Sequence, residues 1–234
     1  MNISYKRRIL FLEKLNNIAC KKACYIMATP YTQCVKNSRN REVVISEKAI
    51  KRTYMNFTIP QLSEGFDEIN FVWNYNINDF KIDEALVDMK DISHGCPHHT
   101  NSIGVHMFNC GKELKKLVND DISYRNLYIA SQIHDIGKPF TKEYNPKKGH
   151  FTYYQHQFVG AYDSLFYLKS LNYEADNKLK FTDEDILEIA NIVQWHMQPY
   201  FINTDKAKEK FKNLVGEKTY KNIMLLNDAD ILAK

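Results

Sequence analysis

The segment Tyr128-Ile-Ala-Ser-Gln-Ile-His134-Asp135-Ile-Gly137-Lys138-Pro139 runs an apolar helical stretch into an adjacent imidazole and carboxylate. Neutral imidazole and carboxylate are ligands of choice for borderline and hard divalent metals. Adjacent residues on a helix point about 100° apart, so both can reach one ion lying between them. Gly137 reads as the end of that helix. Lys138, three residues after Asp135, can face the substrate of the same ion. The rest of the histidine content gathers around this segment: all eight lie between His94 and His196, and the first 93 residues contain none. The clustering predicts a metal site assembled by the second half of the chain.

Apolar spacing in that half predicts helices over 83–90, 100–118, 122–136, 154–171, 183–197 and 216–233. Thr182 reads as the N-cap of the fifth, with Glu184 and Asp185 in its first turn. Gly104 and Gly111 lower the intrinsic propensity of the second. The expectation is an all-α bundle of about five or six helices, in which inward-facing His and Asp from separate helices can converge. His106 lies mid-helix and Asp230 on the last helix. Asp228 competes with Asp230, but two residues are about 200° apart on a helix, so only one can face the site.

The first part reads differently. Residues 4–17 have helical apolar spacing. Residues 23–29 (ACYIMAT) read as a short buried strand ended by Pro30. Residues 45–57 read as a helix with Ser46 as N-cap and Pro60 after its end. Residues 69–75 (INFVWNY) read as a second strand. This alternation makes a small α/β segment, with the boundary near 76–82. The expected organisation is an α/β segment over 1–79 and a helical domain over 80–234, mainly α as a whole.

Composition narrows the function classes. With 44% hydrophobic and 26% charged residues, the 234-residue chain has material for a core. No apolar run approaches the ~20 residues of a membrane span, and the N-terminus MNISYKRRILFLEKL reads as an amphipathic helix rather than a signal peptide. A net charge of +4 suits a phosphorylated substrate without requiring nucleic acid. Five irregularly spaced cysteines read as reduced thiols of a cytoplasmic protein, with Cys20 and Cys24 as buried small hydrophobes.

The order His106, then His134-Asp135, then Asp230 resembles the HD-domain metal-dependent phosphohydrolases, over roughly residues 80–234. His106-Met-Phe-Asn-Cys110 looks like that family's first histidine, YIASQIHDIGKP its signature, and LLNDADILA its closing aspartate helix. His156 (YQHQFVGA) and His196 (VQWHMQP) look like the further metal or substrate histidines of some branches. The stretch HDIGKPFTKEYN…GHFTYYQHQFVGA is similar to the HD domain of bacterial tRNA nucleotidyltransferases. Pro97-His98-His99-Thr100 fits HD domains fused behind polynucleotide-kinase-type P-loop kinases. Residues from ATPYTQCVKN to SEGFDEI resemble the C-terminal half of such a kinase; Arg39 and Arg41 look like its lid arginines, but without a phosphate loop they read as an ordinary basic surface. The chain has no GxxxxGK[ST], so the phosphate-cradling loop is absent. This half reads as a remnant without ATP-dependent transfer, with a partner chain as one possible docking site.

The resemblance implies an ion held by His106, His134, Asp135 and Asp230. His156, His196 and His98 are candidates for a second ion or for substrate. Asp135, Lys138 and His99 would serve the chemistry, with His98 or His99 binding phosphate or protonating a leaving oxygen. A mixed His/Asp set suits one or two ions of Mn²⁺, Fe²⁺, Co²⁺, Ni²⁺ or Mg²⁺. The expected substrate is a phosphorylated small molecule, a nucleotide or an RNA end, cleaved as a phosphomonoester or 2′,3′-cyclic phosphate. The alternative is a catalytically quiet module that binds a nucleotide or partner. His94 is expected in solvent, His150 at the surface or near substrate, and Tyr153 and Tyr154 in the core.

Overall fold

The computed structural model describes residues 3–95, 97, 100–174 and 178–234. The fold is mainly α, with small strand segments. In chain order it runs α1 (Tyr5–Glu13), β1 (Ala23–Ala28), α2 (Tyr31–Arg39), α3 (Glu47–Met55), β2 (Glu68–Trp73), α4 (Ile82–Lys90), α5 (Ile103–Leu117) and α6 (Arg125–Ile133). It continues through α7 (Lys138–Thr141), β3 (Glu143–Asn145), β4 (His150–Thr152), α8 (His156–Leu171), α9 (Asp183–Trp195), α10 (Asp205–Val215) and α11 (Glu217–Leu232).

The caps explain several boundaries. Ser46 accepts from the Ala49 amide at the start of α3. Thr182 and Asp185 form a reciprocal capping box on α9. The core runs through the facing sides of α5, α6, α8 and α9, where Met107, Leu114, Leu127, Ile133, Leu165, Phe166, Ile189 and Ile192 are fully enclosed. Helix α5 closes on its neighbours through two glycines. A Cβ on Gly104 would lie 2.8 Å from the Lys90 amide nitrogen, and one on Gly111 would lie 3.1 Å from Gln132. Close helix approach, rather than propensity, decides both positions.

The structure departs from the sequence expectations in four segments. Residues 31–39, where no element is expected, form α2. Residues 143–152 form the antiparallel β3–β4 hairpin. Helix α10 precedes α11. The helix expected over 122–136 is a short 3-10 turn at Ile122–Tyr124 followed by α6, which ends at Ile133.

Strands β1 and β2 pair in parallel, from Ala23 opposite Glu68 to Ala28 opposite Trp73. Strand β1 is half-buried rather than buried: Ile26 and Ala28 point inward while Tyr25 and Met27 are exposed, the alternation of a one-sided sheet. Cys20 is exposed and Cys24 half-buried, so neither is the buried hydrophobe expected; Cys34 is also half-buried, and among the described cysteines only Cys110 is enclosed.

The N-terminal elements pack on the bundle. The Tyr162 hydroxyl of α8 donates to the Met27 carbonyl at 3.1 Å, and the Gln194 amide of α9 donates to the Ile59 carbonyl at 3.2 Å. Tyr5 meets Trp195 edge-on with ring centres 5.4 Å apart. Arg8, buried, bridges Glu64 at 2.7 Å and donates to the Thr58 carbonyl at 2.8 Å, anchoring α1. Ile26, Ala28, Tyr54 and Ile59 join the hydrophobic cluster of the bundle. Among the described residues no helix is long and apolar enough to cross a membrane.

One contact of this seam gives stability a pH dependence. The Tyr54 hydroxyl of α3 donates to the Asp163 carboxylate of α8. Burial pushes the Asp163 carboxyl up to about 7, against the opposing effect of that hydrogen bond. The ordinary aspartate value is about 3.9, so the folded chain binds this proton more tightly than the unfolded one. The contribution to stability is complete below about pH 4 and is lost as pH rises through about 7. Asp163→Asn should therefore gain thermal stability relative to wild type between about pH 5 and pH 8. A difference that stays constant across that window would contradict the assignment.

Candidate metal centre

The signature segment is a bend between two helices. Helix α6 stops at Ile133, His134–Gly137 turn with the Lys138 amide donating to the Asp135 carbonyl at 2.9 Å, and α7 begins. Gly137, expected to end the helix, follows a turn after α6 has already stopped, and its φ of −80° is outside the left-handed region. Its need for glycine is steric. A Cβ there would lie 2.2 Å from the His156 carbonyl oxygen and 2.5 Å from the Gly160 nitrogen. The missing side chain lets the bend press on the first turn of α8, which brings Asp135 to His156.

Asp135 is the centre of the arrangement. Its Oδ2 lies 3.3 Å from His134 Nε2 and 3.7 Å from His106 Nε2. Its Oδ1 lies 3.2 Å from His156 Nε2 and 3.7 Å from His196 Nε2. Asp230 approaches from α11, with Oδ1 2.8 Å from His106 Nε2 and 3.7 Å from His134 Nε2. Two buried groups of donor atoms result, His106/His134/Asp135 and Asp135/His156/His196, each able to hold a metal ion, with Asp135 common to both. Asp228 is exposed, so of the two competing aspartates it is Asp230 that faces the cluster.

The histidines are oriented by their own backbone. Nδ1 of His134, His156 and His196 lies 2.8, 2.7 and 2.6 Å from the carbonyls of Ser131, Tyr153 and Val193 respectively. In each case the partner is three residues upstream. An Nδ1–H donated to a carbonyl leaves the Nε2 lone pair for a ligand, the usual outer support of a metal-binding histidine. His134 Nε2 is buried and makes no hydrogen bond to any described residue. A buried ring nitrogen without a hydrogen-bond partner, set among carboxylates and imidazoles, gives a divalent cation a fitting donor set once it has lost its proton.

The electrostatics agree. Burial favours a neutral Asp135, but Lys138 and His134 outweigh it and hold the carboxyl well below its ordinary range. The same opposition, with His106 and His134 prevailing, keeps Asp230 strongly acidic. Burial disfavours charge on His134, yet Asp135 and Asp230 push it up to about 10. Burial, then His156 and His134, lower His196 to about 3. Asp135 and Asp230 thus favour a proton on His134, in the place a cation would take. Ion uptake must displace it. Calorimetric Mn²⁺ titrations at pH 8 in buffers of different ionisation enthalpy should show release of about one proton per His134-bound ion. Uptake without proton release would contradict this.

Lys138 lies against Asp135. Its Nζ is 2.6 Å from Asp135 Oδ2, and its side chain is buried, 5.6 Å from the Tyr153 ring centre. Its structural partner is the shared aspartate. His98 and His99 lie outside the described residues. His150 belongs to β4, with Nδ1 2.8 Å from the Phe151 carbonyl, and lies outside both donor groups. Tyr154 is exposed rather than core, and Tyr153 is half-buried. Arg39 and Arg41 are exposed.

Two neighbours of the site escaped the sequence reading. His94, expected in solvent, is buried. Its Nδ1 is 2.8 Å from the Asn101 carbonyl, its ring centre is 5.7 Å from that of His106, and its own carbonyl accepts from the Tyr153 hydroxyl. Burial first, then Lys138, lower it to about 4. Tyr200 donates to Asp230 Oδ2 at 2.7 Å. A loop histidine and a tyrosine after a proline carry no periodicity that would point inward. No family model, curated protein or solved structure matches this chain.

Proposed function

We propose that this chain is an HD-type metal-dependent phosphohydrolase, acting on a nucleotide or RNA-end phosphomonoester or 2′,3′-cyclic phosphate. The observation that carries the reading is the division of Asp135, one oxygen facing His106 and His134, the other facing His156 and His196. A carboxylate shared by two imidazole pairs would let His106, His134 and Asp135 hold one ion and Asp135, His156 and His196 another, a donor set that suits metal-assisted phosphoryl chemistry. When bound, such ions polarise the phosphate and lower the pKa of water near them.

The protein's own groups do the rest. The carbonyls of Ser131, Tyr153 and Val193 fix three imidazoles with Nε2 inward. Lys138 holds Asp135 in register and adds positive charge beside an incoming phosphate. The half-buried Tyr153 links the loop of His94 to the first turn of α8. The test is to strip the protein with chelator, restore Mn²⁺, Co²⁺ or Ni²⁺ singly, and screen nucleotides and RNA oligonucleotides with phosphorylated or 2′,3′-cyclic ends. Ion-stimulated phosphate release or ring opening supports the reading. Ion binding without turnover on any of them favours the quiet binding module.

A further inference from the structure

Asp230 uses its two oxygens for different purposes. Oδ1 faces His106 at 2.8 Å and His134 at 3.7 Å. Oδ2 accepts from the Tyr200 hydroxyl at 2.7 Å and lies 3.8 Å from Lys234 Nζ. Lys234 in turn donates to the Tyr200 oxygen at 3.0 Å, with its Nζ 5.1 Å from the ring centre. Tyr200 stands in the 3-10 turn Gln198–Phe201, four residues beyond His196. One chain reversal thus delivers a candidate ligand of one ion position and the clasp on a candidate ligand of the other.

We infer that Tyr200 is a positioning residue of the metal centre, and that it makes Asp230 a one-oxygen ligand. This rests on the metal-centre reading above. A free carboxylate can close on an ion with both oxygens. One whose Oδ2 accepts from a phenol at 2.7 Å offers only Oδ1, and the Lys234 ammonium, 3.8 Å away, lies beyond hydrogen-bond reach of it. The His106/His134 position then keeps a coordination place open for water or substrate, the condition that separates a reactive metal site from a closed one. Outer hydrogen-bond partners of this kind typically change metal affinity by about 10–100-fold when removed.

The test uses Tyr200→Phe, which keeps the ring and removes the hydroxyl, with Lys234→Met as a second variant that keeps the phenol. Each stripped protein is titrated with Co²⁺ and followed by its visible absorption, which weakens as coordination number rises. Tyr200→Phe should bind Co²⁺ about 10–100-fold more weakly. Its absorption per bound ion should also weaken, as the freed oxygen joins the ion. Lys234→Met should keep the wild-type spectrum. Thermal unfolding of the ion-free proteins controls for a purely structural effect. Tyr200→Phe with wild-type affinity and spectrum would overturn the inference while leaving the metal centre in place. Failure of the wild type itself to bind Co²⁺ would instead remove the reading on which it rests. If Tyr200→Phe does not fold, an altered spectrum in Lys234→Met with Tyr200 intact would overturn the assignment of the clasp to the phenol.

Discussion

Asp135→Asn should empty both ion positions at once. Its oxygens serve two separate histidine pairs, at 3.3 and 3.7 Å on one side and 3.2 and 3.7 Å on the other. Losing an outer partner of a metal ligand costs about 10–100-fold in affinity, so losing a carboxylate shared by two ions should cost more than about 100-fold at each. His156→Ala, by contrast, should weaken only the position it shares with His196. Elemental analysis after Mn²⁺ loading and gel filtration separates the two patterns. The same substitution leaves Lys138, 2.6 Å away and buried, without its counter-charge. Breaking a buried pair from one side costs about 3–5 kcal/mol, which should appear as a lower midpoint for thermal unfolding of the ion-free variant. Retention of one full equivalent of ion by Asp135→Asn would show that the shared carboxylate is not the hub.

Gly137→Ala should be the most damaging single methyl in the chain. The added Cβ would meet backbone, not a side chain that can rotate away: 2.2 Å to the His156 carbonyl oxygen and 2.5 Å to the Gly160 nitrogen. Overpacking costs typically about 1–3 kcal/mol and occasionally more, and a backbone-to-backbone collision belongs at or above the top of that range. Because the bend must move to relieve it, Asp135 separates from His156, and the variant should lose ion binding along with stability. The reciprocal Gly160→Ala meets Gly137 nitrogen at a milder 3.1 Å and should cost about 1 kcal/mol. Denaturant unfolding of both variants checks the order. Equal, small effects would mean that the bend tolerates displacement.

The long helices and the residues that gather at the cluster were readable because each signal is local. Apolar periodicity marks α5 and α9, length and apolar content mark α8 and α11, and His106, His134, Asp135, His156, His196 and Asp230 stand inside or beside these segments and α6. What escaped depends on contacts between distant segments. Helix α2 is short and polar overall, with Gln33, Lys36, Asn37, Ser38 and Arg39, so the small stripe of Tyr31, Cys34 and Val35 gave only a weak helical signal. The β3–β4 hairpin is three residues on each side, too short for an alternation to register. His94 is buried by loop contacts and by Tyr153 from far along the chain. Lys138 could be placed near Asp135 from spacing alone, but its direct pairing with that carboxylate depends on the bend around Gly137. That glycine looked like a helix stop in the sequence; its function as a contact point needs α8 in view.

The proposed activity is an ion-dependent reaction at the Asp135 hub. Its most direct measurement is phosphate-ester hydrolysis by chelator-stripped protein during titration with Mn²⁺, with ion occupancy recorded in the same samples. Hydrolysis rising in step with occupancy, and absent from Asp135→Asn at the same added Mn²⁺, is the predicted result. Hydrolysis that persists in excess chelator, or a fully occupied wild-type protein that cleaves none of the nucleotide and RNA-end substrates, would contradict it.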